Sequence, residues 1–281
     1  MPALPMAPST SSVVGTVDEA HRGLWPRWTI AFVVGELIGF LPPAVVGVAL
    51  VETGADESWL VAGLTVAGAF EGAAIGAAQA HVLSGRWPDI DRRAWVLATA
   101  GAAALAWLVG MGGSTLAGSG TVPTAVAGAG LVLGSIVALL AMGGLQWLVL
   151  RREVARSTRW IWVTAAAWPI GVAIPVAALS AVPETWPAPA QISVAVAAAV
   201  AMGLVVGAIT GQTLQRFSTL ADHRTVDTVE PPPGSAVLAV RFGWTVLSCF
   251  VVVSTVCGLA ALPSTLFYQW HLGLDIEPRP L

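Results

Sequence analysis

The sequence predicts an all-α integral membrane protein with seven transmembrane helices, built from three tandem two-helix repeats of period 67 and a final single helix. Of the 281 residues, 56% are hydrophobic and only 10% are charged, and the mean hydropathy is +0.78. Seven apolar runs approach or exceed the ~20 residues that a helix needs to cross a bilayer. Because lipid cannot satisfy backbone polar groups, and because the short alternating segments of a barrel are missing, we expect helices.

The apolar runs set the predicted domain organisation. Residues 1–26, rich in Pro, Ser and Thr, predict a disordered cytoplasmic tail, and residues 27–262 form the transmembrane domain. Residues 263–281 predict an external amphipathic tail. The predicted membrane runs are 28–51, 59–84, 94–113, 123–150, 160–181, 189–216 and 239–262.

The repeat is read from residues that recur at a fixed interval. Trp28, Trp95 and Trp162 are each 67 positions apart, and Gln79 and Gln146 are separated by the same interval. Such periodicity indicates one copied structural unit whose copies bury their faces against each other. Two helices per copy give successive copies the same orientation. The predicted repeats are 27–93, 94–160 and 161–228, with a half-repeat at 241–262.

The arginines predict the orientation of the chain, which has no lysine. Twelve of the 13 arginines lie where the odd-numbered helices begin, and only Arg279 breaks the pattern. Because positive charge stays on the cytoplasmic side, we expect a multi-pass protein of the cell inner (plasma) membrane with a cytoplasmic N-terminus and an external C-terminus. The twelve are Arg22, Arg27, Arg86, Arg92, Arg93, Arg151, Arg152, Arg156, Arg159, Arg216, Arg224 and Arg241.

Small residues at helical spacing predict close helix packing. Glycines four residues apart form one face of a helix and let a neighbouring backbone approach, an arrangement typical of a glycine zipper. The ladders favour the second, fourth and sixth helices as a tightly packed inner layer. The residues assigned to helix packing are Gly68, Gly72, Gly76, Gly203, Gly207 and Gly211.

Tryptophans cluster near the predicted ends of the helices. Trp25, Trp28, Trp95, Trp160 and Trp162 all lie near the arginine-rich ends. Tryptophan is enriched where a helix meets the lipid headgroups, so we expect most of these side chains to anchor helices at the interface.

Two acids interrupt the apolar pattern deep in the membrane. Glu36 is eight residues from Trp28, about 12 Å along a helix, and Glu71 is twelve residues from Trp59, about 18 Å. Across a core of about 30 Å the two carboxyls fall at nearly the same depth. An ionisable residue at that depth is by default a functional candidate, and a pair sharing a proton suits proton coupling or cation binding. The alternative is a neutral acid that hydrogen-bonds a neighbouring carbonyl.

Gln79 and His81 complete the candidate proton, ion or solute site. Glutamine near a helix end can join neighbouring helices through hydrogen bonds, and its recurrence favours that structural role. For His81, an interfacial position competes with a role in proton relay. We expect no metal and no cofactor, since no paired histidines have a third ligand at metal spacing. A retinal Schiff base is excluded because it needs a lysine. Cys249 and Cys257 lie about 12 Å apart on one helix, too far to bridge.

One segment resembles a known group. The run 143–152, Gly-Gly-Leu-Gln-Trp-Leu-Val-Leu-Arg-Arg, is followed by Trp-Ile-Trp-Val-Thr at 160–164. It resembles uncharacterised bacterial multi-pass membrane proteins that repeat a Gly-x-x-Gln-Trp-x-x-Leu-Arg helix end. The first copy here keeps Gly76 and Gln79 but has Ala80 in place of the tryptophan. The resemblance implies a multi-pass architecture and adds no catalytic residue.

Two functional classes remain open. The first is a non-catalytic membrane scaffold or complex subunit, in which the acids only specify packing. The alternative is a small-solute or proton transporter, or a permeation module, that uses Glu36 and Glu71. The expected partner is the lipid bilayer, with other membrane proteins or a second copy as further candidates and no nucleic acid. An enzyme is not expected, because no nucleophile–base pair is evident.

Overall fold

The computed structural model describes residues 23–183 and 185–224, and in these ranges the chain is all-α. Six of its segments are long and apolar enough to cross a membrane, which confirms the first six predicted runs to within a few residues at most ends. The helices are α1 (Leu24–Gly39), α2 (Leu41–Glu52), α3 (Glu57–Arg86), α4 (Arg92–Gly118), α5 (Thr124–Leu150), α6 (Arg159–Ser180) and α7 (Ala188–Arg224).

Several predictions fall outside the described residues. They are the seventh helix at 239–262, the external tail at 263–281, most of the tail at 1–26, and the two cysteines. The start of α1 differs from the predicted boundary, since the helix begins at Leu24 rather than after residue 26. Leu24 is buried in the core, and the indole N–H of Trp25 donates to the carbonyl of Ala208 at 3.1 Å. Packing against α7 therefore extends the helix.

The first membrane span is made of two helices, α1 and α2, which are separated at Phe40. Pro42 and Pro43 lie in the first turn of α2, where a missing N–H does no harm. They cannot donate to the carbonyls of the preceding turn, so the helix is interrupted immediately before them.

The helices form a closed ring in which each span contacts its neighbours in sequence. Helix α1 packs on α3, and contacts continue through α4, α5, α6 and α7, which returns to α1. The predicted inner layer of the second, fourth and sixth spans is therefore wrong, because α3, α5 and α7 each pack between odd-numbered spans rather than against one another. The glycines serve contacts between neighbouring helices instead.

One end of the ring, which we call the arginine-rich end, carries Arg27, Arg86, Arg92, Arg151 and Arg159 at helix termini or within the first turn. The largest buried core lies near this end. At its centre Trp28, Trp95 and Trp160, the tryptophan triad, meet with ring centroids 5.9 to 6.2 Å apart. Two of the three contacts are edge-to-face, a favourable arrangement for aromatic rings.

Polar side chains on neighbouring helices accept hydrogen bonds from the indole N–H groups of the triad. Trp95 donates to the side-chain oxygen of Gln79 at 3.0 Å, and Trp160 donates to that of Gln146 at 3.1 Å. The amide of Gln146 in turn donates to the Thr99 hydroxyl at 3.0 Å. These buried bonds join α3, α4, α5 and α6 where no water or lipid group could replace the partner.

The indole of Trp28, the third of the triad, joins the two ends of the helix ring. Trp28 on α1 donates to the hydroxyl of Thr210 on α7 at 2.9 Å, and that hydroxyl donates to the carbonyl of Val206 at 2.6 Å. The first and last described spans are thus joined by the same kind of bond that joins the others.

The structure corrects the interpretation of the tryptophans. Trp28, Trp95 and Trp160 have at most 1% of their surface exposed, so they are core residues and not interfacial anchors. Trp162, which the interval of 67 selected, is 42% exposed, and Trp160 takes the central position instead. Trp95 lies 16 residues after its partner Gln79, but Trp160 lies only 14 residues after its partner Gln146. Counting a fixed interval of 67 from Trp95 therefore reaches Trp162, two residues beyond the tryptophan that is buried.

We predict that Trp160→Ala destabilises the protein far more than Trp162→Ala. The first change empties a central volume and removes the indole donor to the side-chain oxygen of Gln146, and large-to-small changes of this kind cost about 3–5 kcal/mol. The second removes a half-exposed ring and should cost less than about 1 kcal/mol. Unfolding titrations of both variants in detergent micelles measure the difference. Equal losses would show that the triad does not hold the ring together.

Candidate site formed by Glu36 and Glu71

The two intramembrane acids lie where α1 crosses α3 at close range. Gly35 faces the backbone of Ile75, and a Cβ atom at Gly35 would lie only 2.7 Å from the Ile75 Cα. One turn later a Cβ at Gly39 would lie 2.8 Å from the carbonyl oxygen of Glu71. Backbone atoms cannot give way as side chains can, so glycine at these positions permits the crossing that brings Glu36 beside α3.

The two carboxyl groups are neighbours and both are buried. Glu36 is 1% exposed and Glu71 is 7% exposed, and the two carboxyls are close enough to interact directly. Neither oxygen of Glu36 makes a hydrogen bond of ordinary geometry with any described residue. A buried polar group without a partner is costly and rare, which makes Glu36 the least satisfied side chain of this crossing.

Glu71 differs from Glu36 because it has a donor. The indole N–H of Trp107 on α4 donates to Oε2 of Glu71 at 2.7 Å. The ring of Trp107 lies directly on Gly68, where any side chain would overlap it. Glu71 is therefore held in place by a donor on α4, whereas Glu36 has no such donor among the described residues.

The pair has the chemistry of a site for a proton or a small cation. Two carboxyls at one place repel each other when both are ionised, and a shared proton or a cation between them removes that repulsion. Within the described residues no third His, Cys, Asp or Glu joins them. Zinc sites use three or four protein ligands and calcium takes six to eight oxygens, so the two carboxyls suit a proton or a monovalent cation better than either of those metals.

The glycine ladders lie at helix contacts on either side of the pair. Gly72 and Gly76 of α3 face α4, and a Cβ at Gly72 would lie 2.7 Å from the carbonyl oxygen of Thr99. On α7, three ladder glycines face α1, where added Cβ atoms would lie 2.8 to 3.2 Å from the nearest atoms. They are Gly203, Gly207 and Gly211.

The other two candidate residues lie away from the acids. Gln79 is eight residues beyond Glu71 on α3, about 12 Å along the helix, and is bonded to Trp95. His81 is exposed at the arginine-rich end, about 15 Å along the helix from Glu71. The structure thus brings Glu36 and Glu71 together and places Gln79 in the layer of the tryptophan triad.

Sequence reasoning missed Trp107, the donor to Glu71. Its signal was present but weak: Trp107 lies near the middle of a predicted span rather than at either end, where an interfacial anchor would be. A tryptophan at that depth must find an acceptor for its N–H inside the protein. The pairing with Glu71, 36 residues earlier, depends on how α3 and α4 cross and is not visible in the sequence.

Comparisons with protein-family models, with curated proteins and with solved structures found no match to this chain. The fold and the site geometry define a multi-pass membrane protein whose apolar helices contact the lipid bilayer. Any more specific function has to be argued from the site itself.

We predict that Gly39→Ala destabilises the protein and that Gly101→Ala does not. The added methyl at residue 39 would push against the backbone of Glu71, and overpacking of this kind costs about 1–3 kcal/mol. Gly101, also in a helix interior, has no atom within 4 Å of an added Cβ. Alanine there should raise stability by up to about 1 kcal/mol through helix propensity. Thermal unfolding of both variants in micelles tests this. A neutral Gly39→Ala would show that α1 and α3 do not cross this closely.

Proposed function

We propose that this protein is a transport or permeation module of a membrane, and that a proton or a monovalent cation binds between Glu36 and Glu71. The single observation that carries the proposal is the buried carboxyl of Glu36, which lies beside the carboxyl of Glu71 and has no other hydrogen-bond partner among the described residues. An occupant that neutralises or bridges the pair would supply the missing interaction.

The position of the pair supports the proposal. Acids inside membrane spans are expensive to maintain and mark ion pathways and proton relays. Here both acids are buried within a helix ring, and no arginine of the described residues forms an ion pair with either. Their burial at one crossing point provides a defined place for an exchangeable ion.

The second candidate is a non-catalytic scaffold or subunit of a larger membrane complex. It is favoured by the backbone-to-backbone contacts at Gly35, Gly39 and Gly72, which make the bundle rigid without any ligand. In that case the acids would share a permanently bound proton and would specify only the packing of α1 on α3. The two candidates differ in one property of the proton or cation between the acids. It exchanges with the solution in a transport module and stays bound in a scaffold.

The remaining features of the proposal come from the sequence. Both candidates are non-enzymatic and need no cofactor. We propose a plasma-membrane location with the arginine-rich end at the cytoplasmic face, because positively charged loops stay on that side. A second copy or another membrane protein is a candidate partner.

We predict that a membrane-soluble carbodiimide, dicyclohexylcarbodiimide, modifies Glu36 or Glu71 in the protein reconstituted in liposomes. The reagent couples to protonated carboxyls that it reaches through lipid, so a proton-bearing acid in the bundle should react. Sodium, potassium or lithium ions slow the reaction if the occupant is a cation, and they leave it unchanged if the occupant is a proton. Mass spectrometry of the modified peptides gives the rates, and Glu57→Gln, which removes an exposed acid, should leave them unaltered.

We further predict that Glu36→Gln and Glu71→Gln each abolish ion flux into the same liposomes, whereas Glu57→Gln retains it. Glutamine preserves the shape of the side chain but cannot exchange a proton or offer a charge to a cation. Flux is measured with an internal pH dye and a sodium dye under an imposed gradient. Unreactive acids together with identical flux in all variants would contradict the proposal and leave the scaffold as the better account.

A further inference from the structure

The acid pair is covered by different side chains toward the two ends of the helix ring. Toward the arginine-rich end, two packed layers separate the acids from solvent. The first contains Phe32, Ile75 and Val206, all at most 1% exposed, and the ring of Phe32 also contacts that of Trp168 at a tilt of 53°. The second is the tryptophan triad with its bonded glutamines. An occupant leaving toward this end would have to disrupt both layers.

The opposite end, where Glu52 and Glu57 lie, buries fewer side chains on α4 and α7. On α4 the face that buries Thr99 and Ala103 continues to Ala106 and Gly110, and both of these are exposed. On α7 no residue between 189 and 197 is buried. Neighbouring helices still touch here, since a Cβ at Gly63 would lie 2.7 Å from the Leu50 side chain. Fewer side chains are therefore buried at this end although neighbouring helices still touch.

Trp107 is the side chain that covers the pair on this more open side. Gly68 lies one turn nearer than Glu71 to the end with Glu52 and Glu57, and the indole of Trp107 rests on Gly68 while it bonds Glu71. Unlike the three indoles of the triad, that of Trp107 is only partly buried. It bonds Glu71, contacts Gly68 and belongs to none of the buried core clusters of the described residues, so it can move without disturbing a packed layer.

We infer that Trp107 is a movable cover over the Glu36–Glu71 site, and that the occupant enters and leaves only from the end opposite the arginines. The inference rests on the proposed function and adds a direction of access and a gating residue. Displacing the indole frees Oε2 of Glu71 and exposes the carboxyl pair in one motion. The bond between Trp107 and Glu71 thus couples occupancy of the site to closure of the cover.

The test measures access of water-soluble reagent to the acids from each side of the membrane. Right-side-out and inside-out vesicles containing the full chain are treated with a carbodiimide bearing a fixed positive charge and an amine nucleophile. Modification of Glu36 and Glu71 is followed by mass spectrometry. Thr53→Cys and His81→Cys, each in a chain carrying Cys249→Ser and Cys257→Ser, report through an impermeant maleimide which side is exposed.

The wild-type acids should react from the side of residue 53 and not from the side of residue 81. Trp107→Ala should speed that reaction at least about tenfold, which corresponds to about 1.4 kcal/mol of lost cover. Gly68→Ala should act in the same direction, because its methyl displaces the indole without removing it. Trp107→Phe keeps the ring without the donor and should give a smaller increase, and Trp59→Ala, at an exposed tryptophan of the same end, should give none.

Faster modification from the side of residue 81, or rates in Trp107→Ala and Gly68→Ala equal to wild type, would overturn the inference. The outcome is independent of the flux assay. If the cover variants respond but ion flux does not depend on the acids, Trp107 shields a structural pair and the proposed function fails. If flux depends on the acids but the cover variants do not respond, the function stands and access follows another route.

Discussion

The hydrogen bonds from the tryptophan triad to neighbouring helices are the interactions on which the rest of the structure depends. In lipid there is no hydrophobic force to drive one apolar helix against another, so packing and interhelical hydrogen bonds must define the arrangement. Each indole N–H of the triad reaches an acceptor on an adjacent helix, namely Gln79, Gln146 or Thr210. These three bonds join α3 to α4, α5 to α6, and α7, the last described span, to α1.

Above this closed layer lies Glu36, one of several buried polar side chains without a hydrogen-bond donor among the described residues; Ser157 and Thr164 are others. The same packing that completes every indole of the triad leaves Glu36 without a bond, although glycine at positions 35 and 39 places it against α3 with little freedom. Buried unsatisfied groups are expected where a site accepts a ligand or a proton. The contrast between the bonded indoles of the triad and the carboxyl of Glu36 two turns above them is the structural basis of the proposal that an ion occupies the acid pair.

Much of the fold can be predicted from sequence because it depends on composition. Long apolar runs gave the six described spans, and the depth of Glu36 and Glu71 followed from simple counting along helices of known rise. The wrong predictions are those that inferred three-dimensional contacts from residue spacing alone. Trp162 was chosen by interval, but the packed core selects Trp160. The glycine ladders showed that helices approach closely but not which helix approaches, so the inner layer of even-numbered spans was wrong. The tandem repeat and the seventh span stay predictions.

Infrared difference spectroscopy on the protein in bilayers, with and without a change of proton or sodium concentration, tests the central claim most directly. The account predicts a carboxyl C=O band that shifts on exchange into heavy water, responds to the added ion, and is lost in Glu36→Gln. A spectrum in which no such band responds to either ion, or in which the band survives Glu36→Gln and Glu71→Gln unchanged, would contradict the claim that an exchangeable ion occupies the pair.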